Sequence, residues 1–106
     1  MAGQYNFVAD LAAEADMPER GIHSQTLMKE EGFELVLFAM ARGEQLSEHT
    51  SARQAIVHVL SGEGQLTVAG HSYELKPNAW LFMRPRTSHA IVANTPLAFA
   101  LYLLTP

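Results

Sequence analysis

Residues 43–62 read GEQLSEHTSARQAIVHVLSG, and the patterning of this stretch decides the fold. A turn, Gly43-Glu44-Gln45, leads into the polar segment Ser47-Glu48-His49-Thr50-Ser51 and then into an apolar run over 55–60. With a strand's period of two, His49 and Ser51 point to one face, and Ala55, Val57 and Val59 continue that face if the loop between keeps phase. His58 then falls on the opposite side. So does Glu48 on an undistorted strand, and Gln54 is one residue out of phase with Ala55; only a bulge would bring either one to the His49 face.

Downstream, short apolar or alternating runs over 65–68, 72–75, 80–83, 90–93 and 97–104 follow one another closely. They are separated by Ser61-Gly62-Glu63-Gly64, Ala69-Gly70, Lys76-Pro77-Asn78 and Asn94-Thr95-Pro96, all turn-forming combinations. Strands at this spacing with tight turns predict an all-β antiparallel sandwich or barrel. Upstream, Phe7, Val8, Leu11, Ala12 and Ala15 form a helical stripe over 6–15, which Pro18 and Gly21 terminate. The stretch 33–42 is apolar on both faces, with Phe33, Leu35, Leu37, Ala39 and Ala41 on one side and Val36, Phe38 and Met40 on the other. A barrel strand needs one apolar face, so the second predicts a cover: a neighbouring subunit in a homodimer, or the N-terminal segment through Phe7, Val8 and Leu11.

A chain of 106 residues makes one domain. Its net charge of −4, with no run of lysine or arginine, offers no footprint for nucleic acid or an anionic membrane. The absence of cysteine excludes disulfides, thiolate nucleophiles and cysteine-ligated metal centres, so any metal would rest on His, Asp or Glu. No basic segment followed by an apolar one opens the chain, and no apolar run approaches membrane-spanning length, which together predict a cytoplasmic protein. A charged fraction of 17% is low and again points to a surface partly covered by a partner.

Two spacings carry the functional signal. Gly43, His49, Ser51, Ala55 and Gly62 are separated by five, one, three and six residues, and Asn78, Arg84, Arg86, His89 and Ala93 by five, one, two and three. On these frames, over about residues 33–104, the chain resembles the cupin superfamily. Its first motif runs Gly, five residues, His, one, His, three or four, Glu, six, Gly; its second runs Gly, five, Pro, one, Gly, two, His, three, Asn. The first frame is kept, with Ser51 and Ala55 where the second histidine and the glutamate belong. In the second frame only His89 matches, with Pro85 and Asn94 one place off. The gap over 63–77 has the short length of single-domain microbial cupins.

The resemblance implies a small double-stranded β-helix, a jelly-roll-like barrel over 21–106 that follows an N-terminal segment, 1–20, with a short helical stretch. It also implies a ligand or metal in the barrel mouth, commonly in a dimer. Family metals use the two histidines and glutamate of the first motif and the histidine of the second, so this chain retains His49 and His89 only. The pocket it implies holds His49, Ser51 and His89; Tyr102, from the apolar run over 97–104, is taken as a further pocket residue, although core or dimer interface is the plainer reading of an aromatic there. Two imidazoles would hold a zinc, nickel, iron or manganese ion weakly, because stable sites have three or four protein ligands.

Three functions compete. A binding module would take a small polar ligand, or weakly a divalent metal. A metal-dependent enzyme, dioxygenase- or isomerase-like, would let substrate complete the shell of His49 and His89. A metal-free isomerase or epimerase would use one histidine as the base, without an in-phase carboxylate to orient it. Arg84 and Arg86, on either side of Pro85, could clamp a carboxylate or a phosphate, although a solvated pair is the plainer reading.

Overall fold

The structure, a computed structural model, describes residues 3–105. Among these, nine strands build two antiparallel sheets: β1 (Ile22–Lys29), β2 (Phe33–Met40), β3 (Gln45–His49), β4 (Gln54–Ser61), β5 (Gly64–Val68), β6 (His71–Leu75), β7 (Trp80–Met83), β8 (His89–Ala93) and β9 (Leu97–Leu104). One sheet has the order β1-β2-β9-β4-β7 and the other β3-β8-β5-β6. From β2 onward the chain changes sheet at every connection except the β5–β6 hairpin, which is the jelly-roll pattern the turn spacing predicts. That hairpin turns on Ala69 (φ 49°) and Gly70 (φ 84°), the doubly positive geometry that matches strand twist in a two-residue loop.

Register assigns the faces. Phe38, Val57, Leu101 and Leu103 pack inward with the buried Met40, Val59, Leu97 and Phe99 against Leu66, Leu75, Ile91 and Ala93 of the other sheet. Phe38 and Phe99, paired across β2 and β9, stack with ring centroids 5.0 Å apart.

The odd residues of β2 face the other way. Leu35 and Leu37 are only 6% and 2% exposed. With Ala100 they form a second apolar layer that Leu11, Leu27, Met28, Leu60 and Tyr102 pack against. Of the three N-terminal residues the sequence offers as a cover for this face, Leu11 alone packs on it, beside Leu27 and Met28 of the neighbouring strand β1.

The helix expected over 6–15 is not formed; a single 3₁₀ turn, Ala12–Glu14, stands in its place. So short a helix is marginal unless a surface buries its stripe. Here Leu11 finds such a surface, while Phe7 and Val8 stay exposed.

Close approach of the β4–β5 turn to the backbone that enters β9 requires glycine at position 62. Gly62 has φ 85°, and a β-carbon there would overlap the Pro96 carbonyl oxygen and lie 2.9 Å from Leu97 Cα. Gly32, in the β1–β2 turn, has nothing within 4 Å of the same position. In urea unfolding, Gly62→Ala is expected to lose at least about 2 kcal/mol, and Gly32→Ala to stay within about 0.5 kcal/mol of the parent. Equal effects would contradict this account of the β4–β5 turn.

Candidate functional site

Among the described residues strand β3 is an edge strand, with β8 as its one neighbour. Leu46 pairs with Ile91 and His49 with His89, so Ser47 and Glu48 together span the single residue Ala90. Leu46 and His49 are three apart and would face opposite sides of a regular strand. The bulge absorbs one residue and lets both face inward, Leu46 against the core and His49 against His89. The imidazole rings lie 4.1 Å apart between centroids, inclined at 58°. Residues 40 apart in sequence are thus direct cross-strand neighbours.

His89 is the one polar side chain buried among the described residues, at 7% exposure, whereas His49 lies exposed at the rim. Each ring is oriented by the carbonyl two residues before it: His49 Nδ1 is 2.8 Å from Ser47 O, and His89 Nδ1 is 2.9 Å from Thr87 O. A carbonyl only accepts, so both Nδ1 atoms must donate. In the neutral rings this leaves each Nε2 with a free lone pair, able to accept a proton or a hydrogen bond, or to coordinate an ion. Burial lowers the pKa of His89; the hydrogen bond to Thr87 opposes that shift, and the charge of His49 adds to it.

Two loops close this end of the barrel. The Arg86 N–H, on a residue with φ 65°, donates to Ser51 O at 2.7 Å. Thr87 Oγ1 donates to Arg84 O at 2.9 Å. Ser51 lies in the first of these loops, where its hydroxyl accepts from the Arg53 N–H at 3.1 Å. Its oxygen is therefore engaged locally, as expected of a residue holding a turn.

Tyr102 does not join the site. On β9 the odd residues face the interior, and Tyr102, an even one, pairs with Leu35 and Ile56 and packs in the outer layer, 6.3 Å from Phe33 between ring centroids. Arg84 stands over the Phe82 ring, 5.6 Å from its centroid. His58 faces outward between Ala100 and Trp80, as its parity predicts. His71 shares a register row with the pair: His49, His89, Val68 and His71 stand side by side across the four strands. Counting outward from the two-residue turn Ala69-Gly70 gives that position.

The donor set does not close a metal shell. Among the described residues no three His, Cys, Asp or Glu side chains come together around one point. Ala55, at the family's glutamate position, presents a methyl group to the core. Glu48 stays exposed despite the bulge. Two imidazole nitrogens are what the protein offers.

The sequence model of a family described as "Cupin domain" matches residues 36–104. Among curated protein sequences there is no match to this chain. A crystal structure of a cupin superfamily protein from Desulfitobacterium hafniense is similar with a TM-score of 0.84 at 22% identity, covering 100% of this chain and 95% of its own. A conserved protein of unknown function from Streptococcus pyogenes is similar with a TM-score of 0.84 at 23% identity, over 97% and 90% of the two chains. Salicylate 1,2-dioxygenase from Pseudoaminobacter salicylatoxidans, in a structure with gentisate, has a TM-score of 0.75 at 10% identity, over 78% of this chain and 25% of that one. At these identities the likeness shows the fold.

The buried imidazole has a consequence for stability. Because burial lowers the pKa of His89 below the ordinary 6.5, the unfolded chain binds its proton before the folded one does. Stability should therefore fall as pH drops below about 6.5, down to the folded-state pKa. Urea midpoints measured across this range for the parent and His89→Gln should show a shallower pH dependence in the variant. Parallel curves would remove His89 as the source.

Proposed function

Because the chain belongs to the cupin domain family, we propose that it is a small cytoplasmic binding protein whose His49 and His89 take one small polar ligand at the end of the barrel. The observation that carries this reading is the pair of adjacent imidazoles, each held through Nδ1 by a backbone carbonyl and each left with a free Nε2. Neighbouring lone pairs suit a ligand that presents one donor to each ring, such as two adjacent hydroxyls or the two N–H groups of an amide or ammonium nitrogen. The restricted exposure of His89 favours a small one.

A divalent ion, zinc, nickel, iron or manganese, is a weak alternative occupant of the same two nitrogens, and would supply Lewis-acid chemistry when bound. The lowered pKa of His89 favours a second reading, as a metal-free acid–base enzyme. A ring that stays neutral near pH 7 can act as a base, with Thr87 O doing the orienting that a carboxylate does elsewhere. The likeness to a dioxygenase bears on fold alone and adds no weight to a metal-dependent reaction.

Titration calorimetry with zinc chloride near neutral pH tests the two-donor site. Binding should be no tighter than the micromolar range, and His49→Ala or His89→Ala should each abolish it. Nanomolar affinity in the parent would mean that a further ligand takes part, and would overturn the reading. Ser51→His with Ala55→Glu should tighten zinc binding by roughly a hundredfold or more, since it restores two donors to a frame already spaced for them. A double variant no tighter than the parent would show that the spacing no longer encodes a metal shell.

A further inference from the structure

Strands β6 and β7 are edge strands of different sheets, paired among the described residues only with β5 and β4. Between them opens a groove of about 240 Å³ that reaches the core side chains Val57, Leu66, Leu75 and Leu81. Tyr73 and Trp80 stand at its rim, 55% and 62% exposed. The turn that joins the two strands is fixed. Its Ala79 N–H donates to Lys76 O at 2.9 Å, and its Asn78 N–H ties it to β4 through Val59 O at 2.8 Å. The groove is therefore pre-formed, as small-molecule sites usually are.

Size and chemistry narrow the occupant. An apolar cavity of about 150 Å³ takes one benzene ring, so this groove has room for a single ring with a short chain. It is smaller than the roughly 300–1,000 Å³ that drug-sized ligands fill. The aromatic faces at the rim can stack on a ring, and they attract a cation. Charge points the same way. Glu74 is the one charged residue in the lining. A polar cleft that continues the groove past Leu75 adds Glu63 and Asn94, together with Lys76. Among the described residues neither carboxylate is in an ion pair. Two carboxylates against one ammonium leave this end of the groove net negative, in a chain whose own net charge is −4.

We propose that the β6–β7 groove is a second ligand site, which takes a small aromatic amine with its ring against Leu75 and Leu81 and its ammonium at Glu74. His49 and His89 line no part of the groove, so this site and the histidine site fail separately: zinc titration reads one and Trp80 the other.

Trp80 is the only tryptophan, so its fluorescence reports on the groove rim alone. Titration with 2-phenylethylamine at neutral pH and low ionic strength should change Trp80 emission and saturate by the millimolar range. The anion 3-phenylpropionate, with a similar ring and chain, should bind at least about fivefold more weakly. Glu74→Gln, a change at an exposed position, should weaken binding of the amine about fivefold and leave that of neutral 2-phenylethanol unchanged. Glu31→Gln, in the β1–β2 turn, removes the same charge elsewhere and should leave both unchanged. The absence of a saturable change with the amine overturns the proposal. So does an anion that binds as tightly as the amine, or a Glu74→Gln variant no different from Glu31→Gln. Amine binding that weakens as protein concentration rises would place a second copy of the chain in the groove, and overturns it as well.

Discussion

Burial of β9 on both faces is the constraint on which the rest of the architecture depends. It lies between β2 and β4, and Leu97, Ala98, Phe99 and Ala100 are all nearly inaccessible. Leu97 and Phe99 serve the core between the sheets, and Ala100 serves the layer outside. A strand placed this way must be apolar in both phases, and so must the part of β2 that runs beside it. The last strand of the chain is also the middle of its sheet, so β2 and β4 are held together only once the C-terminal residues have docked. Gly62 and Gly64 belong to the same constraint: a β-carbon at either would strike backbone at Pro96 or Val92, which flank the turn leading into β9.

A barrel filled this way leaves little room for polar chemistry inside it. The interior rows of β4 and β9 carry alanine, valine, leucine and phenylalanine, and the histidine pair sits at the end of the other sheet. His89 is tolerated there because Thr87 O satisfies its Nδ1, and no buried side-chain nitrogen or oxygen among the described residues lacks a partner. His49 reaches it only through the bulge in β3, since a regular strand with Leu46 inward would turn His49 outward. The site therefore follows from one extra residue in an edge strand, where such an irregularity disturbs a single ladder.

Much of this was legible in the sequence, and the failures have physical causes. Strand alternation and turn residues gave the strands from 55 onward almost to the residue, and parity placed His58 outside. The resemblance of the two frames to the cupin motifs singled out His49 and His89, and the structure sets their rings 4.1 Å apart. The bulge was not legible, because Ser47-Glu48 carries no glycine or proline to mark it; only the pairing of Leu46 with Ile91 reveals it. Tyr102 was misplaced because 97–104 is apolar in both phases, and an unbroken apolar run carries no parity signal. The helical stripe over 6–15 was a real periodicity with too little surface to bury it. Histidine count and spacing also cannot show which ring nitrogen is free, since that is decided by the carbonyls of Ser47 and Thr87.

Everything inferred for the histidine pair depends on backbone carbonyls holding Nδ1 of both rings protonated and leaving both Nε2 atoms as acceptors. Long-range proton–nitrogen correlation spectra of uniformly ¹⁵N-labelled protein near neutral pH test it most directly, because the neutral tautomers give distinct patterns for the two ring nitrogens. His49 and His89 should both appear as the Nδ1–H tautomer, and addition of zinc should move their Nε2 resonances first. An Nε2–H tautomer for either ring would contradict the account, since that ring would then donate where the site needs a lone pair.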